Sequence, residues 1–144
     1  MMNISLIDTN VIVYALDKES QYHIKSKDIF ENAMNGVIKA VIADKSLFEL
    51  FAIITDEKRV NNPVSVSKAT EIIELILDSS IGILYSSESS LTKTLEMSKK
   101  YKIKKQNIFD LVLIGIMLSN NIKQILTYNK KDFAQIKEIE LIEF

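Results

Sequence analysis

Four acidic residues lie inside or directly beside strongly apolar runs of this sequence. They are Asp8 in SLIDTNVIV, Glu49 in SLFELFAII, Asp110 in NIFDLVLIGIML and Asp132 in ILTYNKKDF. An ionised carboxylate is costly to bury unless a cation pairs with it or it coordinates a metal. Neither Asp8 nor Asp110 has a lysine or arginine within four residues. The pattern therefore predicts that the carboxylates converge around a cation.

The candidate ligands are carboxylate oxygens, because the chain has no cysteine and only one histidine, His23. We expect His23 at an exposed helix start, without a catalytic role. An all-oxygen set suits Mg²⁺ or Mn²⁺ rather than Zn²⁺. Such an ion can make a bound water acidic enough to attack a phosphodiester while it offsets the developing charge. The four acids therefore indicate hydrolysis of a nucleic acid.

Apolar spacing and turn residues predict strands and helices that alternate along the chain. Strands are predicted at residues 3–8, 37–43, 81–85, 124–127 and 140–144. Helices are predicted after Asp8-Thr9-Asn10, over 23–34, from an Asp44 or Ser46 cap to 54, from Ser65 or Ser67 to 77, over 87–101 and from an Asn107 cap to about 120, with a turn at 130–133.

This alternation predicts a three-layer α/β/α domain with a central, mainly parallel sheet. In such folds ligands bind beyond the carboxyl ends of the strands. Asp8 ends the first predicted strand, and the segment 127–132 follows the fourth. Glu49 and Asp110 fall in the first two turns of their helices. The predicted elements thus place the acids where a ligand is expected.

Composition limits the other classes of function. With 144 residues and 47% hydrophobic content, the chain fits a single domain over residues 1–144. A net charge of −1 requires that any nucleic-acid contact come from a local basic patch. The lack of cysteine, of a basic leader and of a long apolar run predicts an unprocessed, soluble protein of the cytoplasm, without a membrane partner.

Four blocks in order resemble PIN-domain nucleases, in particular the VapC-type toxins of toxin–antitoxin pairs. The blocks are LIDTNVIVYALD at 6–17, the helix-borne glutamate in SLFELFAIIT, IFDLVLIGIML at 108–118 and ILTYNKKDF at 125–133. The resemblance covers nearly the whole chain. It implies a metal-dependent endoribonuclease that uses Mg²⁺ or Mn²⁺, forms a homodimer and binds a small antitoxin protein.

The resemblance also implies roles for individual residues. Asp8, Glu49, Asp110 and Asp132 would be the catalytic and metal-binding acids. Polar residues would orient the substrate and the acids: Thr9, Asn10, Thr127 and Asn129. The chain departs from the pattern at Asn129, where many members carry Asp, and its acid comes three residues later. The fourth ligand is therefore open between direct coordination by Asp132 and a water-mediated or Asn129 contact.

A basic run could supply the local patch for RNA. Five lysines fall between residues 99 and 105, and we expect Lys102, Lys104 and Lys105, together with Lys130 and Lys131, to meet RNA phosphates. Such runs are also common as solvated helix ends. Tyr14, Tyr128 and Phe133 could stack on bases or could simply pack.

Each acid has a purely structural interpretation as well. Asp8 suits a helix cap, and Glu49 could be a surface residue on an otherwise buried helix. Asp110 would stabilise a helix N-terminus, and Asp132 could pair with its lysine neighbours. Two other functions compete with the nuclease. One is an inactive PIN-like module that binds RNA or protein. The other is a haloacid-dehalogenase-like phosphatase, which needs a second aspartate at the position of Asn10.

Overall fold

Strands and helices alternate through residues 3–144, the part of the chain that the computed structural model describes. The strands are β1 (Ser5–Ile7), β2 (Ala40–Ala43), β3 (Gly82–Leu84), β4 (Gln124–Leu126) and β5 (Glu140–Leu141). The helices are α1 (Thr9–Leu16), α2 (His23–Met34), α3 (Asp44–Ile54), α4 (Val66–Leu77), α5 (Glu88–Tyr101), α6 (Ile108–Ser119) and the single turn α7 (Lys130–Phe133), with a 3₁₀ turn at Lys105–Asn107 before α6.

The five strands form one sheet in the order β3-β2-β1-β4-β5, and every neighbouring pair is parallel. The chain builds outward from β1 to β3, then returns to the other side of β1 to add β4 and β5. The order therefore reverses between β1 and β4. In open parallel sheets this switch point leaves a crevice beyond the strand ends, where ligands bind.

Side chains of each strand alternate between two cores, as the pleat requires. Ile7, Ile42 and Leu126 enter a core with helices α1 to α4. Their neighbours Leu6, Ala43 and Ile125 enter a second core with α5 and α6. Because both faces of the sheet are covered, the molecule is the predicted three-layer α/β/α structure.

Helices α5 and α6 approach each other closely at Gly115. A Cβ atom placed there would lie 2.1 Å from Thr94 Oγ1 and 2.6 Å from the Ser90 carbonyl oxygen. Ser90 and Thr94 are buried, and the Thr94 hydroxyl donates a hydrogen bond to the Ser90 carbonyl oxygen at 2.8 Å. This contact fixes α6, which carries Asp110, against the rest of its layer.

Several predicted boundaries differ from the structure. Strand β2 begins at Ala40 rather than at residue 37, because Val37 belongs to the turn after α2 and donates its N–H to the Asn32 carbonyl. Asp44 is the first residue of α3 and not its cap. Asn107 has the expected position before α6 but makes no side-chain cap bond. Within residues 3–144, no helix is long and apolar enough to cross a membrane.

Candidate metal and nucleic-acid site

Asp8 lies at the end of β1, at the switch point of the sheet. It is buried, and its backbone N–H donates to the Leu126 carbonyl of β4 at 3.0 Å. One carboxylate oxygen accepts the Thr9 N–H at 2.8 Å as the cap of α1, and the other accepts the Thr127 hydroxyl at 2.8 Å. The cap role and the candidate site role thus coexist in one side chain.

Burial raises the pKa of Asp8 above its ordinary value of 3.8. The hydrogen bonds from Thr127 and Thr9 oppose this shift, because they stabilise the ionised carboxylate. The nearby charge of Glu49 raises the pKa further, while Lys45 lowers it. Asp8 is therefore a carboxylate that a further cation would stabilise.

Asn10 and Thr127 complete a polar network around Asp8. The Asn10 amide donates to Asp8 at 3.3 Å and to Thr127 Oγ1 at 3.2 Å, and its carbonyl oxygen accepts the Tyr128 N–H at 3.2 Å. The Asn129 N–H also donates to Thr127 Oγ1, at 3.0 Å. Thr127 is 1% exposed, so its hydroxyl is held entirely by these protein groups. The network ties the β4 loop to β1 and α1.

Glu49 faces Asp8 from the first turns of α3. Thr9 Oγ1 donates to Glu49 Oε2 at 3.1 Å, and the Lys45 ammonium forms an ion pair with Glu49 Oε1. The sequence left open whether Glu49 is a site residue in an apolar setting or a surface residue, and in the structure Glu49 is exposed, as is the preceding Phe48. The apolar run around Glu49 therefore does not imply burial, because α3 presents this turn to solvent.

Asp110 and Asp132 form the second acidic pair. Asp110 is partly buried in the first turn of α6, and Asp132 is exposed on α7. Burial raises the pKa of Asp110 above 3.8, and the charges of Asp132 and Glu49 add to the shift. Lys45 opposes it. Glu49 and Lys45 therefore influence the pKa values of both Asp8 and Asp110.

Three cavities that share lining residues lie beside the two acidic pairs. The Asp8 cavity, of about 320 Å³, is lined by Asp8, Thr9, Asn10, Tyr14, Glu49, Arg59 and Asn129, among others. The Asp110 cavity, of about 150 Å³, is lined by Asn107, Asp110, Lys131, Asp132 and Gln135, among others. A third hollow over residues 128–132 shares Asn129 with the first and Asp132 with the second. We refer to these three neighbouring cavities together as the acidic cleft.

The two candidates for the fourth ligand lie in different parts of this cleft. Asn129 lines the Asp8 cavity, whereas Asp132 lines the Asp110 cavity. Asp132 acts on the pKa of Asp110 and is not among the charges that shift Asp8. The alternative left open by the sequence thus becomes a choice between two sides of the cleft.

The chemistry of the four candidate ligands suits a hard divalent cation. All four side chains offer carboxylate oxygens, and neighbouring like charges raise the pKa values of Asp8 and Asp110. Over residues 3–144, however, no three Asp, Glu, His or Cys side chains stand close enough to form a ready ligand set. Glu49 is held by Lys45 and Thr9, and Asp8 by Thr127 and Thr9. The oxygens therefore fit Mg²⁺ or Mn²⁺ as donors, and Glu49 must exchange Lys45 for the ion.

The lysines occupy different positions relative to the cleft. Lys131 lines the Asp110 cavity. Lys130 instead pairs with Glu143 at 3.0 Å and lies over the Phe144 ring, so it anchors the end of the chain. The other three, Lys102, Lys104 and Lys105, are exposed beside the 3₁₀ turn that leads into α6.

The aromatic residues near the cleft are mainly engaged in packing. Phe133 is buried, and the Tyr128 ring contacts those of Tyr14, Tyr22 and Phe144 at centroid distances of 4.5–5.2 Å. His23 begins α2, as expected, but it is half-buried rather than exposed, because its Nδ1 lies 3.0 Å from the Tyr14 carbonyl oxygen. Packing within the protein therefore accounts for the positions of these rings.

Two basic residues of the cleft were missed at the level of sequence. Lys45 lies four residues before Glu49, and this spacing on a helix is a standard signal for an ion pair. Arg59 lines the Asp8 cavity from the loop after α3 and is the only arginine in the sequence. Its position in a polar loop gives no periodic signal, so only the fold reveals its proximity to Asp8.

Solved structures share this fold. One is VapBC2 from Rickettsia felis bound to a DNA fragment from its promoter, with a TM-score of 0.68, 19% identity and 98% of each chain covered. Another is VapBC-1 from nontypeable Haemophilus influenzae, with a TM-score of 0.66, 21% identity and 97% of each chain covered. A third is VapC20 from Mycobacterium tuberculosis, a sarcin-ricin loop cleaving toxin, with a TM-score of 0.66, 11% identity, and 92% of this chain and 94% of that chain covered.

Curated proteins offer no match to this sequence. A family model does match it: the PIN domain model covers residues 5–139, nearly the whole chain. The matched segment includes both acidic pairs and the Asp8–Thr127 network. The chain therefore belongs to the PIN domain family.

Proposed function

We propose that this chain is a metal-dependent endoribonuclease that acts as a single domain, and that it is the toxin of a type II toxin–antitoxin pair. The observation that carries the proposal is the acidic cleft at the switch point, where Asp8, Glu49, Asp110 and Asp132 lie along one row of cavities. Membership of the PIN domain family supports nuclease activity. The similarity to VapC20, a toxin that cleaves RNA at the sarcin-ricin loop, supports RNA as the substrate.

Asp8, Glu49 and Asp110 would hold a Mg²⁺ or Mn²⁺ ion, with Asp132 or Asn129 completing its surroundings. When bound, the ion would activate water toward a phosphodiester and offset the charge that develops on the phosphate. Two carboxylates with pKa values raised by burial and by neighbouring charges are suitable ligands, because a cation relieves both costs.

The polar residues of the network orient these acids. Thr127 and the Thr9 N–H hold the two oxygens of Asp8 in different directions. The Thr9 hydroxyl holds one oxygen of Glu49 and so links the second acid to the first. Asn10 fixes Thr127 and the backbone of Tyr128. Such contacts commonly affect metal affinity or activity about 10- to 100-fold when they are removed.

RNA would reach the cleft along its basic flank. Lys131 is placed to meet a phosphate beside Asp110, and Lys102, Lys104 and Lys105 could extend the contact from the loop before α6. Lys130 contributes less in this proposal, because Glu143 already neutralises it. These lysines would affect binding more than chemistry.

Protein partners follow from the same proposal. Solved complexes from Rickettsia felis and Haemophilus influenzae pair a similar fold with a VapB protein, which supports a small antitoxin for this chain. A homodimer is supported by exposed aromatic side chains next to two of the acids: Phe48 is 77% exposed and Phe109 is 67% exposed. We place the toxin in the cytoplasm, where its RNA substrate is found.

Cleavage of a mixed RNA pool tests the function directly. Wild-type protein should cut RNA with Mg²⁺ or Mn²⁺ and stop in excess chelator. Asp110→Asn should lose activity by orders of magnitude, because it removes a charge that a hard cation needs. The matched control is Asp28→Asn, which removes the same charge from an exposed position on α2.

Three outcomes would contradict the proposal. Cleavage that persists in chelator would exclude the metal mechanism. Full activity of Asp110→Asn, with both variants melting like the wild type, would exclude the site. RNA binding without cleavage under every metal condition would favour the inactive binding module instead.

A further inference from the structure

Arg59 is the one arginine of the sequence, and it lines the Asp8 cavity. It belongs to the loop between α3 and α4. Asp8, Thr9 and Glu49 line the same cavity. The cavity is therefore bordered by both carboxylates and a guanidinium.

The loop that presents Arg59 is an organised turn. The Asp56 carboxylate accepts the Lys58 N–H at 2.9 Å, and the Asp56 carbonyl oxygen accepts the N–H groups of Arg59 at 2.9 Å and Val60 at 3.1 Å. The Val64 N–H then donates to the Ile54 carbonyl at 2.8 Å, which closes the loop against the end of α3. The backbone of Arg59 is thus fixed beside the cavity.

The guanidinium has no partner within residues 3–144: it takes part in no ion pair or hydrogen bond there, and the side chain is exposed. It forms no ion pair with Asp8 or Glu49, although all three residues line the same cavity of about 320 Å³. A cation held apart from nearby acids is available to an anion that enters between them.

We propose that Arg59 binds a phosphate of the RNA strand and sets its position in the Asp8 cavity. The inference rests on the proposed ribonuclease function. A guanidinium offers donors in a planar fork that matches two oxygens of a phosphodiester, which an ammonium cannot do. With Lys131 on the Asp110 side, the strand would be held by its backbone at both ends of the cleft. Arg59 is a positioning residue, since it approaches the substrate and not the acids.

RNA binding in chelator tests this role without cleavage. The probe is a fluorescein-labelled single-stranded RNA of mixed sequence, titrated at several salt concentrations. Arg59→Gln should weaken binding about tenfold, as expected for the loss of a charge-assisted contact. It should also reduce the salt slope by about 0.7, the value for one phosphate contact to a single strand. Arg59→Lys should restore the slope but only part of the affinity.

Lys58→Gln is the matched control, because Lys58 is the exposed neighbour of Arg59 in the same turn and is not part of the cavity lining. It should change affinity less than about twofold. With metal present, Arg59→Gln should raise KM for RNA more than it lowers kcat, because the contact is made before the chemical step. Thermal melting should show that all three variants fold.

The outcomes separate this inference from the proposed function. If the wild type binds and cleaves RNA and Arg59→Gln behaves like Lys58→Gln, the role of Arg59 is wrong while the nuclease stands. If Arg59→Lys binds RNA as tightly as the wild type, a point charge suffices and the bidentate contact is wrong. If the wild-type protein neither binds nor cleaves RNA, both proposals fail together.

Discussion

The hydroxyl of Thr127 donates a hydrogen bond of 2.8 Å to the Asp8 carboxylate, although 119 residues separate the two positions. A hydroxyl has one proton to donate, so its lone pairs must accept the N–H groups of Asn10 and Asn129. The direction of every bond in the network is therefore set by Asp8 acting as an acceptor. The contact crosses the switch point of the sheet and fixes the acid where a ligand binds.

Thr127→Val should lower both stability and RNA cleavage. Valine keeps the shape but removes the hydroxyl, which leaves an oxygen of Asp8 and the N–H of Asn129 without their partner. We expect unfolding free energy to fall by about 1–3 kcal/mol. Cleavage should fall about 10- to 100-fold, because Asp8 loses its orientation. Urea denaturation and the RNA cleavage assay measure the two effects.

Thr127→Ser is the control for this substitution, since it keeps the hydroxyl and loses only a methyl group. It should retain most of the activity. A loss of activity from serine, with the activity retained by valine, would show that the site depends on packing of the methyl group and not on the hydrogen bond to Asp8.

The order of strands and helices could be predicted because each has a clear local signal. Parallel strands buried on both faces read as short apolar runs, and Ser65 and Ser87 mark helix starts by accepting backbone N–H groups. Val37 was misassigned to a strand because its apolar side chain carries no information about the turn that exposes it. The boundary depends on the hydrogen bond to Asn32, which the sequence does not reveal.

The placement of some candidate residues could be predicted from the sequence, whereas their contacts could not. Residues that follow parallel strands meet at the same edge of the sheet, so Asp8 and Thr127 are expected to lie close together. The structure confirms this proximity, because the two side chains share a hydrogen bond. The exposure of Glu49 was one of two interpretations left open, because an apolar run does not show which helix face the fold covers. Arg59 was invisible for a related reason: only the path of the loop after α3 brings it beside Asp8.

Gly115→Ala should destabilise the protein. The added methyl group would meet Thr94 and the backbone of Ser90 at distances no real Cβ atom adopts, so α5 and α6 must move apart. Overpacking of this kind costs about 1–3 kcal/mol. The melting temperature reports the loss.

Gly82→Ala is the control, because Gly82 is exposed on β3 and meets only a side-chain methyl of Val41, at 3.2 Å. A neutral Gly115→Ala would mean that the two helices tolerate a wider separation.

Glu138→Gln should remove part of the pH dependence of stability. Hydrogen bonds from Lys100, at 2.7 Å, and from Tyr101 lower the pKa of Glu138 below its ordinary value of 4.5. The stabilisation by the ionised form is therefore complete above the unfolded-state pKa and is lost as pH falls through the lower folded-state pKa.

At pH 7 the Glu138→Gln variant should melt below the wild type by roughly 1–3 °C, a small shift because solvent screens the pair. The difference should shrink below about pH 4.5, where the wild type also loses the charge. Melting curves at pH 7 and pH 3 test this. A constant difference at both values would assign the effect to packing of Glu138 and not to its charge.

Lys45→Gln should strengthen the binding of a divalent cation. The Lys45 ammonium pairs with Glu49 and opposes the rise in the pKa values of Asp8 and Asp110, so it takes the electrostatic role that a metal ion would have. Removal of a competing pair of this kind, worth about 0.3–1 kcal/mol, should lower the Kd for Mn²⁺ roughly two- to fivefold in a calorimetric titration. Lys93→Gln is the control, because it breaks a similar pair with Glu96 on α5. Weaker Mn²⁺ binding by Lys45→Gln would show instead that the ammonium holds Glu49 in the orientation the ion needs.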